Sequence, residues 1–435
     1  MNFFKSRDEV IDEILVCIWP LLLFRRHFLH RKYQINKRAT QFTLLNMNSY
    51  SLVDLNSFGS ENWCLKLQPA YKHGLLTGLS NGEICLLDWN TGKPLQKIRA
   101  SETAINDMKI IDSDFVAGNL ISSASIDSVK VFDIRSNDCV AKINNETNSP
   151  FLSLDSRHGL LACGTELQGI DAAIHIYDVR KWDAPLRSLV DSHHDDVTCI
   201  KFHPSDVNVL LSGSTDGYTN IYDLKQDDEE DALHQVINYA SIHSCGWLSP
   251  KRIYTLSHME TFSIHELNDK SDELKEPQPL DFGDIRKAWN CDYVVDVYPG
   301  FIATGKTQEG AGELRLLPFK DEKIDTGNGI VIPHAHGDEV VRDVFVSEQN
   351  TDVLYSCGED GCVKIWKNSL GCLNTPASFW DYSERISVLE DENKEAPTSL
   401  EEPLIIQKES VATKPRKEKH KKTKKHSKKS RFKPY

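Results

Sequence analysis

The 435-residue chain has eleven cysteines, at 17, 64, 85, 139, 163, 199, 245, 291, 357, 362 and 372, but no Cys-x-x-Cys pair. That removes zinc-ribbon and thioredoxin-type chemistry, which need two thiols at chelating or redox spacing. An odd, scattered set reads as reduced thiols filling strands, as in a cytosolic or nuclear protein. No glycine-rich phosphate loop, G-x-S-x-G or H-E-x-x-H occurs, so NTPase, serine-hydrolase and zinc-protease mechanisms have no motif to rest on. Thr304-Gly305-Lys306-Thr307 has the end of a phosphate loop without the upstream glycine. Long apolar runs are also lacking. Ile14–Phe24 is eleven residues, broken by Pro20, where a bilayer needs about 20. Asp8, Glu9, Asp12 and Glu13 precede it, which a secretory n-region avoids, and Arg25, Arg26, Arg31 and Lys32 follow. Residues 1–46 are read as an N-terminal extension, helical or disordered. A short docking helix, a membrane anchor and a non-native stretch upstream of a start at Met47 stand as alternatives. No other membrane segment is visible.

What is present is enough apolar sequence (40%) to build a core, together with 26% charged residues. The net charge of −13 conceals an asymmetry. Lys414–Tyr435 holds twelve Lys/Arg against one acid, a net +11, which leaves −24 on residues 1–413 (−13 less +11). An acidic body joined to a basic tail is expected.

The body repeats. A bulky residue followed by an acid recurs at Leu87-Asp88, Phe132-Asp133, Tyr177-Asp178, Tyr222-Asp223 and His265-Glu266, at intervals of 45, 45, 45 and 43 residues. A period of ~40–45 with a W-D-like dipeptide at the end of each unit is a repeat signature. The best-formed unit starts at His193. Val197, Cys199, Ile200 and Phe202 suit a first strand, Val209–Ser214 a second, and Tyr218–Leu224 a third. Asp216-Gly217 forms the tight turn between the last two, since Asp-Gly between alternating runs is a strong hairpin signal. His336–Val340, Tyr355–Gly361 and Val363–Trp366 repeat the pattern.

These residues resemble the WD-repeat family. The resemblance implies an all-β fold, a seven-bladed WD-repeat β-propeller over residues 47–381, with a disordered basic C-terminal tail. Units begin near Trp63, Ala104, Phe151, His193, Ala240, Trp289 and His336, with turn insertions at Glu166–Asp171 and Gln308–Gly312. Tyr50–Leu55 alternates and is expected to supply the missing outer strand after Trp366, closing the ring and removing its open edges. In that family a loop His, a strand Ser/Thr, a turn Asp and a strand Trp form a hydrogen-bonded tetrad. The resemblance places two of these, at His193, Ser212, Asp216 and Tyr222 (with Tyr for Trp) and at His336, Ser356, Asp360 and Trp366. Partial sets are Ser123, Asp127 and Phe132, Thr77 with Asn81, and Thr255, whose turn position is held by Met259. Phe282–Arg286, Cys291–Asp296 and His336–Arg342 look like WD repeat-containing protein 89 and its fungal relatives, over about residues 50 to 370; that group implies a nuclear protein.

The histidine pairs His193-His194 and His334-x-His336 are read as structural, because neither has a Cys or an acid at zinc-ligand spacing. No metal, cofactor or catalytic residue is expected. Tyr177-Asp-Val-Arg180, and more loosely Phe132-Asp-Ile-Arg135, match the box that marks WD-repeat substrate receptors of cullin-type ubiquitin ligases. Arg180 is the residue at stake, although Arg is common there in ordinary blades. Acids follow the third strands of blades four, five and six, at Asp227, Asp228, Glu229, Glu230 and Asp231, at Asn268–Glu276, and at Asp321, Glu322 and Asp325. Loops in that position share one propeller face, so their field sums. They read either as solvated loops or as a surface for a basic partner.

Residues 382–413 read as an acidic disordered linker, with Phe379-Trp380 as aromatics available to pack on the propeller. Residues 414–435 form a basic disordered tail. Its cations Lys414, Arg416, Lys417, Lys419, Lys421, Lys422, Lys424, Lys425, Lys428, Lys429, Arg431 and Lys433 suit a nuclear import receptor and a nuclear or nucleolar address. Nucleic acid stays open but has little support, since Phe432 is the only interleaved aromatic. Docking onto its own acidic propeller is a third option for the tail. The expected function is a nuclear scaffold, a monomer or one part of a larger complex, that binds a protein such as a ribosomal protein or histone. The alternative is a cullin-ligase substrate receptor acting through the Tyr177–Arg180 box.

Overall fold

Each repeat supplies a sheet that is apolar on both faces, and no repeat can bury both faces by itself. The second strands show this most clearly. Leu75–Leu79 and Val209–Ser214 are buried at every position, because neighbouring sheets cover them on both sides. The outer strands end the cover: Pro94–Arg99 buries one residue of its six.

The computed structural model describes residues 50–390 apart from 112–117, 145–148, 271–277, 311, 348–349, 369–372 and 374. Its strands form seven antiparallel sheets, the seven blades expected. Blade one runs from Cys64–Pro69 to Pro94–Arg99, blade two from Asp107–Ile110 to Cys139–Ile143, and blade three from Phe151–Arg157 to Arg187–His193. Blade four runs from Val197–Phe202 to Leu233–Asn238, blade five from Ile242–Ser249 to Leu280–Asp284, and blade six from Tyr293–Tyr298 to Ile330–Pro333. Blade seven takes Val341–Ser347, Asn350–Gly358 and Cys362–Asn368 from the end of the repeat region, and Tyr50–Ser57 from its start. Tyr50 stands opposite Asn368, Leu52 opposite Trp366 and Ser57 opposite Cys362. At the join, the Phe58 amide donates to the Gly361 carbonyl at 2.8 Å. Gly361 adopts φ +71°, and a Cβ there would lie 2.1 Å from the Gly59 carbonyl oxygen, so glycine is required.

The buried apolar residues form seven clusters, each shared by two neighbouring blades, and blades seven and one share Cys64, Leu75, Tyr355 and Val363. The innermost strands line a polar channel. Just after the bulge of six of these strands stand Lys66, Ser153, Cys199, Ser244, Asp296 and Asp343, and Asp107 opens the unbulged strand of blade two. Several of these groups reach across to the next blade. Asp343 accepts the Leu67 amide at 2.9 Å and Asp107 the Leu154 amide at 2.9 Å, while Ser153 donates to the Val197 carbonyl at 2.7 Å. Two residues further along blade three, Asp155 accepts the Phe202 amide at 2.8 Å. A hydrogen bond to a charged group contributes ~1.5–3 kcal/mol, so these acids act as latches between blades.

The propeller body extends past the boundary expected at 381. Leu373, Phe379, Trp380, Val388 and Leu389 join the clusters between blades six and seven, five and six, and four and five. Residues 382–390 therefore pack as a strap and do not begin a linker, because they carry apolar anchors that composition alone averages away. Residues 1–49 and 391–435 lie outside the described residues, and with them the readings of the N-terminal extension, the rest of the linker and the tail.

The pairing of Tyr50–Ser57 makes the ring one cooperative unit. Deleting residues 1–56 is expected to abolish the cooperative thermal transition, and deleting 1–46 to preserve it. Circular dichroism melts of both truncations check this, and equal behaviour contradicts the closure.

Candidate functional site

Hydrogen bonds link the side chains of both tetrads. In blade seven, the His336 ring lies 2.7 Å from Asp360 through Nδ1 and 2.7 Å from Ser356 Oγ through Nε2, and the Trp366 indole donates to the same Oγ at 2.8 Å. The carboxylate fixes the proton on Nδ1, so Ser356 donates to Nε2 and accepts from Trp366. His336 is 2% exposed, and burial holds its pKa below the ordinary value against the pull of Asp360. Burial alone raises the Asp360 carboxyl, but the His336 hydrogen bond and the Lys364 ammonium at 2.8 Å outweigh it and hold it low. In blade four, His193 lies 2.8 Å from Asp216 and 2.7 Å from Ser212. Tyr222 stands where Trp366 stands in blade seven, its hydroxyl 3.4 Å from Ser212 Oγ and 3.3 Å from the Asn220 amide. Both histidines are therefore committed to the fold, and no group of three or more His, Cys, Asp or Glu side chains with metal-holding geometry occurs among the described residues.

Two of the partial sets gain contacts that spacing did not reveal, in blades two and five. In blade two the buried Ser101 takes the place of the histidine and donates to Asp127 at 3.1 Å, with Ser125 donating at 2.8 Å. In blade five His265 stands where Trp366 stands in blade seven, and its Nε2 lies 2.6 Å from Ser263 Oγ and 3.2 Å from Thr255 Oγ1. In blade one Asn81 accepts the Glu83 amide at 3.0 Å, which serves its turn. The channel acids were also missed, and a carboxylate within the first strands of blades two, three, six and seven was the available signal. Lys306, from the phosphate-loop-like tetrapeptide, bonds Asn290 at 2.9 Å and pairs with Glu313 at 3.3 Å. Of the nine described cysteines, all free, seven are buried, and burial pushes the thiols of Cys85 and Cys291 up to about 11 and about 12.

Arg180 is engaged within its own blade. Its Nε donates to Asp178 Oδ1 at 2.8 Å and a terminal nitrogen donates to Oδ2. Arg135 with Asp133 and Arg286 with Asp284 repeat the fork. The fork of blade three recurs after the third strand of blade two, and Asp284–Arg286 forms the same local pair after the fourth strand of blade five, so its geometry is not peculiar to the Tyr177–Arg180 box.

The acidic loop of blade four is divided in its roles. Asp228 caps the short helix Glu229–Ala232, accepting the Glu230 amide at 2.9 Å. Glu229 turns inward, accepts the amides of Val190 at 2.8 Å and Asp191 at 3.0 Å, and also bonds Ser192. Arg187 clamps the loop from beneath, donating to the carbonyls of Gln226 and Asp228. Glu229 therefore leaves the set of partner-facing acids, because it satisfies the outer edge of blade three. Asp227, Asp228, Glu230 and Asp231 are exposed. Glu322 is held by Arg252 at 2.6 Å and Asp325 folds its own turn onto Asn328. Residues 271–277 and the tail cations at 414–433 lie outside the described residues.

Two measurements bear on the tetrads. Asp360→Ala and Asp216→Ala each orphan a buried imidazole N–H, at a cost of about 1–3 kcal/mol readable by chemical denaturation; full stability in both variants contradicts the structural role. Burial also lowers His203 and His265 to about 4. Between about 6.5 and about 4 the unfolded chain protonates these rings and the folded chain does not, so stability falls as pH drops through that window. Glu260, raised by burial to about 7, acts in the opposite sense, costing stability as pH rises from 4.5. The histidine part is thus read as the shallower acid loss of His265→Gln compared with the unmodified chain.

The WD domain, G-beta repeat model matches residues 184–223 and 330–367, around the two complete tetrads. The chain is 81% identical over 389 residues to a WD repeat-containing protein of Saccharomyces cerevisiae, covering 89% of this chain and 100% of the relative. It is 28% identical over 349 residues to the WD repeat-containing protein 89 homolog of Dictyostelium discoideum, covering 76% of this chain and 90% of that protein. It is also 32% identical over 205 residues to the histone acetyltransferase type B subunit 2 of Candida glabrata, covering 43% and 46%. WD-repeat propellers are generally non-enzymatic scaffolds for protein interaction. The tetrads, the closed ring and the full-length similarity place this chain in the WD-repeat protein family.

Proposed function

We propose that the protein is a nuclear scaffold whose propeller binds a basic protein partner. The observation that carries this reading is the anchored acidic loop of blade four. Glu229 and Arg187 pin its backbone, so Asp227, Asp228, Glu230 and Asp231 stand exposed at fixed positions. Preordered charge loses little entropy on binding and discriminates among cationic surfaces. The −24 carried by residues 1–413 attracts a cationic protein at longer range. The +11 tail supplies the chemistry of an import signal. The similarity to a protein named as a histone acetyltransferase subunit supports a histone as one such partner. Arg180 is already occupied by Asp178, which favours this reading over a cullin-ligase receptor.

Neutralising Asp227, Glu230 and Asp231 to amides, with Asp228 and Glu229 retained to hold the loop, is expected to weaken binding to purified core histones or basic ribosomal proteins. The unmodified chain's affinity should itself fall as salt rises, since exposed charges are screened over about 8 Å at physiological ionic strength. A fluorescent fusion ending at Thr413 should lose nuclear enrichment while keeping its melting transition. Unchanged binding by the neutralised loop, or a truncated fusion that stays nuclear, overturns the corresponding half of the proposal.

A further inference from the structure

The strap 375–390 contacts the propeller as a bound peptide contacts a receptor. It joins no sheet, and two groups of anchors hold it with an exposed stretch, 383–387, between them. At the first, Trp380 packs on His203 with ring centroids 5.6 Å apart, and its indole donates to Ser205 Oγ at 3.3 Å. Tyr382 packs on Trp380 at 4.6 Å and lies under Arg157 at 5.1 Å. At the second, Val388 and Leu389 are 2% and 3% exposed, within the cluster between blades four and five. The strap's main chain is recognised as well. The Ile386 amide donates to the Ser205 carbonyl at 3.1 Å, the Val388 amide to Asp206 Oδ2 at 2.9 Å, and the Leu389 carbonyl accepts from the Lys270 amide at 3.0 Å. Lys225 pairs with Glu390 at 3.3 Å.

The slot is built without the strap. His203 accepts the amides of Ser205 at 3.1 Å and Asp206 at 2.9 Å on Nδ1, donates from Nε2 to the Pro250 carbonyl at 3.1 Å, and rests edge-on against Trp247 at 4.7 Å. Asp206 uses Oδ1 to hold its own turn at the Asn208 amide. Its other oxygen, in a residue 4% exposed, is aimed at a strap amide. A buried carboxylate oxygen placed to receive a main-chain N–H from outside the blades is a peptide-recognition feature.

We propose that this slot between blades four and five is a docking site for a linear peptide, with residues 379–390 as its resident occupant in cis. It accepts in trans a partner segment of the same chemistry: an indole, a Val-Leu pair eight residues later, and an acid next. The slot reads apolar anchors, so the proposal is independent of the basic-partner reading.

The test uses the full chain carrying Trp380→Ala, Val388→Asp and Leu389→Asp, with a fluorescent synthetic peptide of residues 376–391 as probe. An occupied slot lowers apparent affinity by the fraction of slots free, so the variant is expected to bind the probe at least ~tenfold tighter than the unmodified chain. Adding Asp206→Asn should weaken that binding, and a probe with Leu389→Asp should not bind. A folded variant that binds no better than the unmodified chain overturns the proposal. So does equal binding of the Leu389→Asp probe, which marks non-specific adhesion, and so does a variant that fails to fold. A second form, with a specific protease site inserted after Gly371, separates docking from folding under native conditions. After cleavage, the released strap should exchange with excess probe while the ring keeps its melting transition. A strap that never exchanges, or a ring that unfolds on its release, shows a structural element and no docking site.

Discussion

The structure depends on burying both faces of every blade. The seven apolar clusters each lie between two blades and none lies within one, so a blade without two neighbours leaves a face in water. Hydrophobic burial is roughly proportional to area and has no direction, which means that packing alone stacks blades without deciding where the stack ends. Ring closure decides it, and closure comes from pairing Tyr50–Ser57 with Cys362–Asn368. That pairing joins segments about 300 residues apart and leaves no repeat unpaired at either end.

Within this frame the polar groups give direction. The channel acids accept amides from the next blade, and an acceptor of that kind works only when the neighbouring sheet is at the correct height. The tetrads act within a blade, tying the loop that enters the first strand to the turn between the second and third. Both devices bury charge, and both succeed because each carboxylate meets a donor at about 2.7–2.9 Å. The two tetrad histidines each carry a hydrogen bond from a strand to a turn.

A rigid ring places its variable parts on loops, and this one uses them unevenly. The blade-four loop is held by Glu229 and Arg187, so its remaining acids are presented at fixed points. The strap runs between that loop and the next, touching Lys225 and Lys270. Charge presentation and peptide docking thus lie side by side at one end of blades four and five, on separate residues with separate chemistry.

The repeat period, the two full tetrads, the turn insertions and the closing strand were legible in the sequence. Each is a local pattern or a recurrence of one, and a strand's two-residue alternation survives in one dimension. The polar contacts in blades two and five were not legible, because Ser101 lies outside the pattern and the bonds of His265 to Ser263 and Thr255 depend on side-chain geometry within the sheet. The acids of the blade-four loop were visible as charge, but which of them faces solvent was decided by the amides of Val190 and Asp191, some 40 residues earlier. The part of the strap beyond 381 reads as linker in sequence because its anchors are few among polar residues, and their burial depends on a slot made by blades four and five. Sequence determined the architecture, since period and alternation are properties of neighbours along the chain. Tertiary structure alone decided which polar and apolar side chains are satisfied and which remain available, since that depends on partners brought together only when the ring closes.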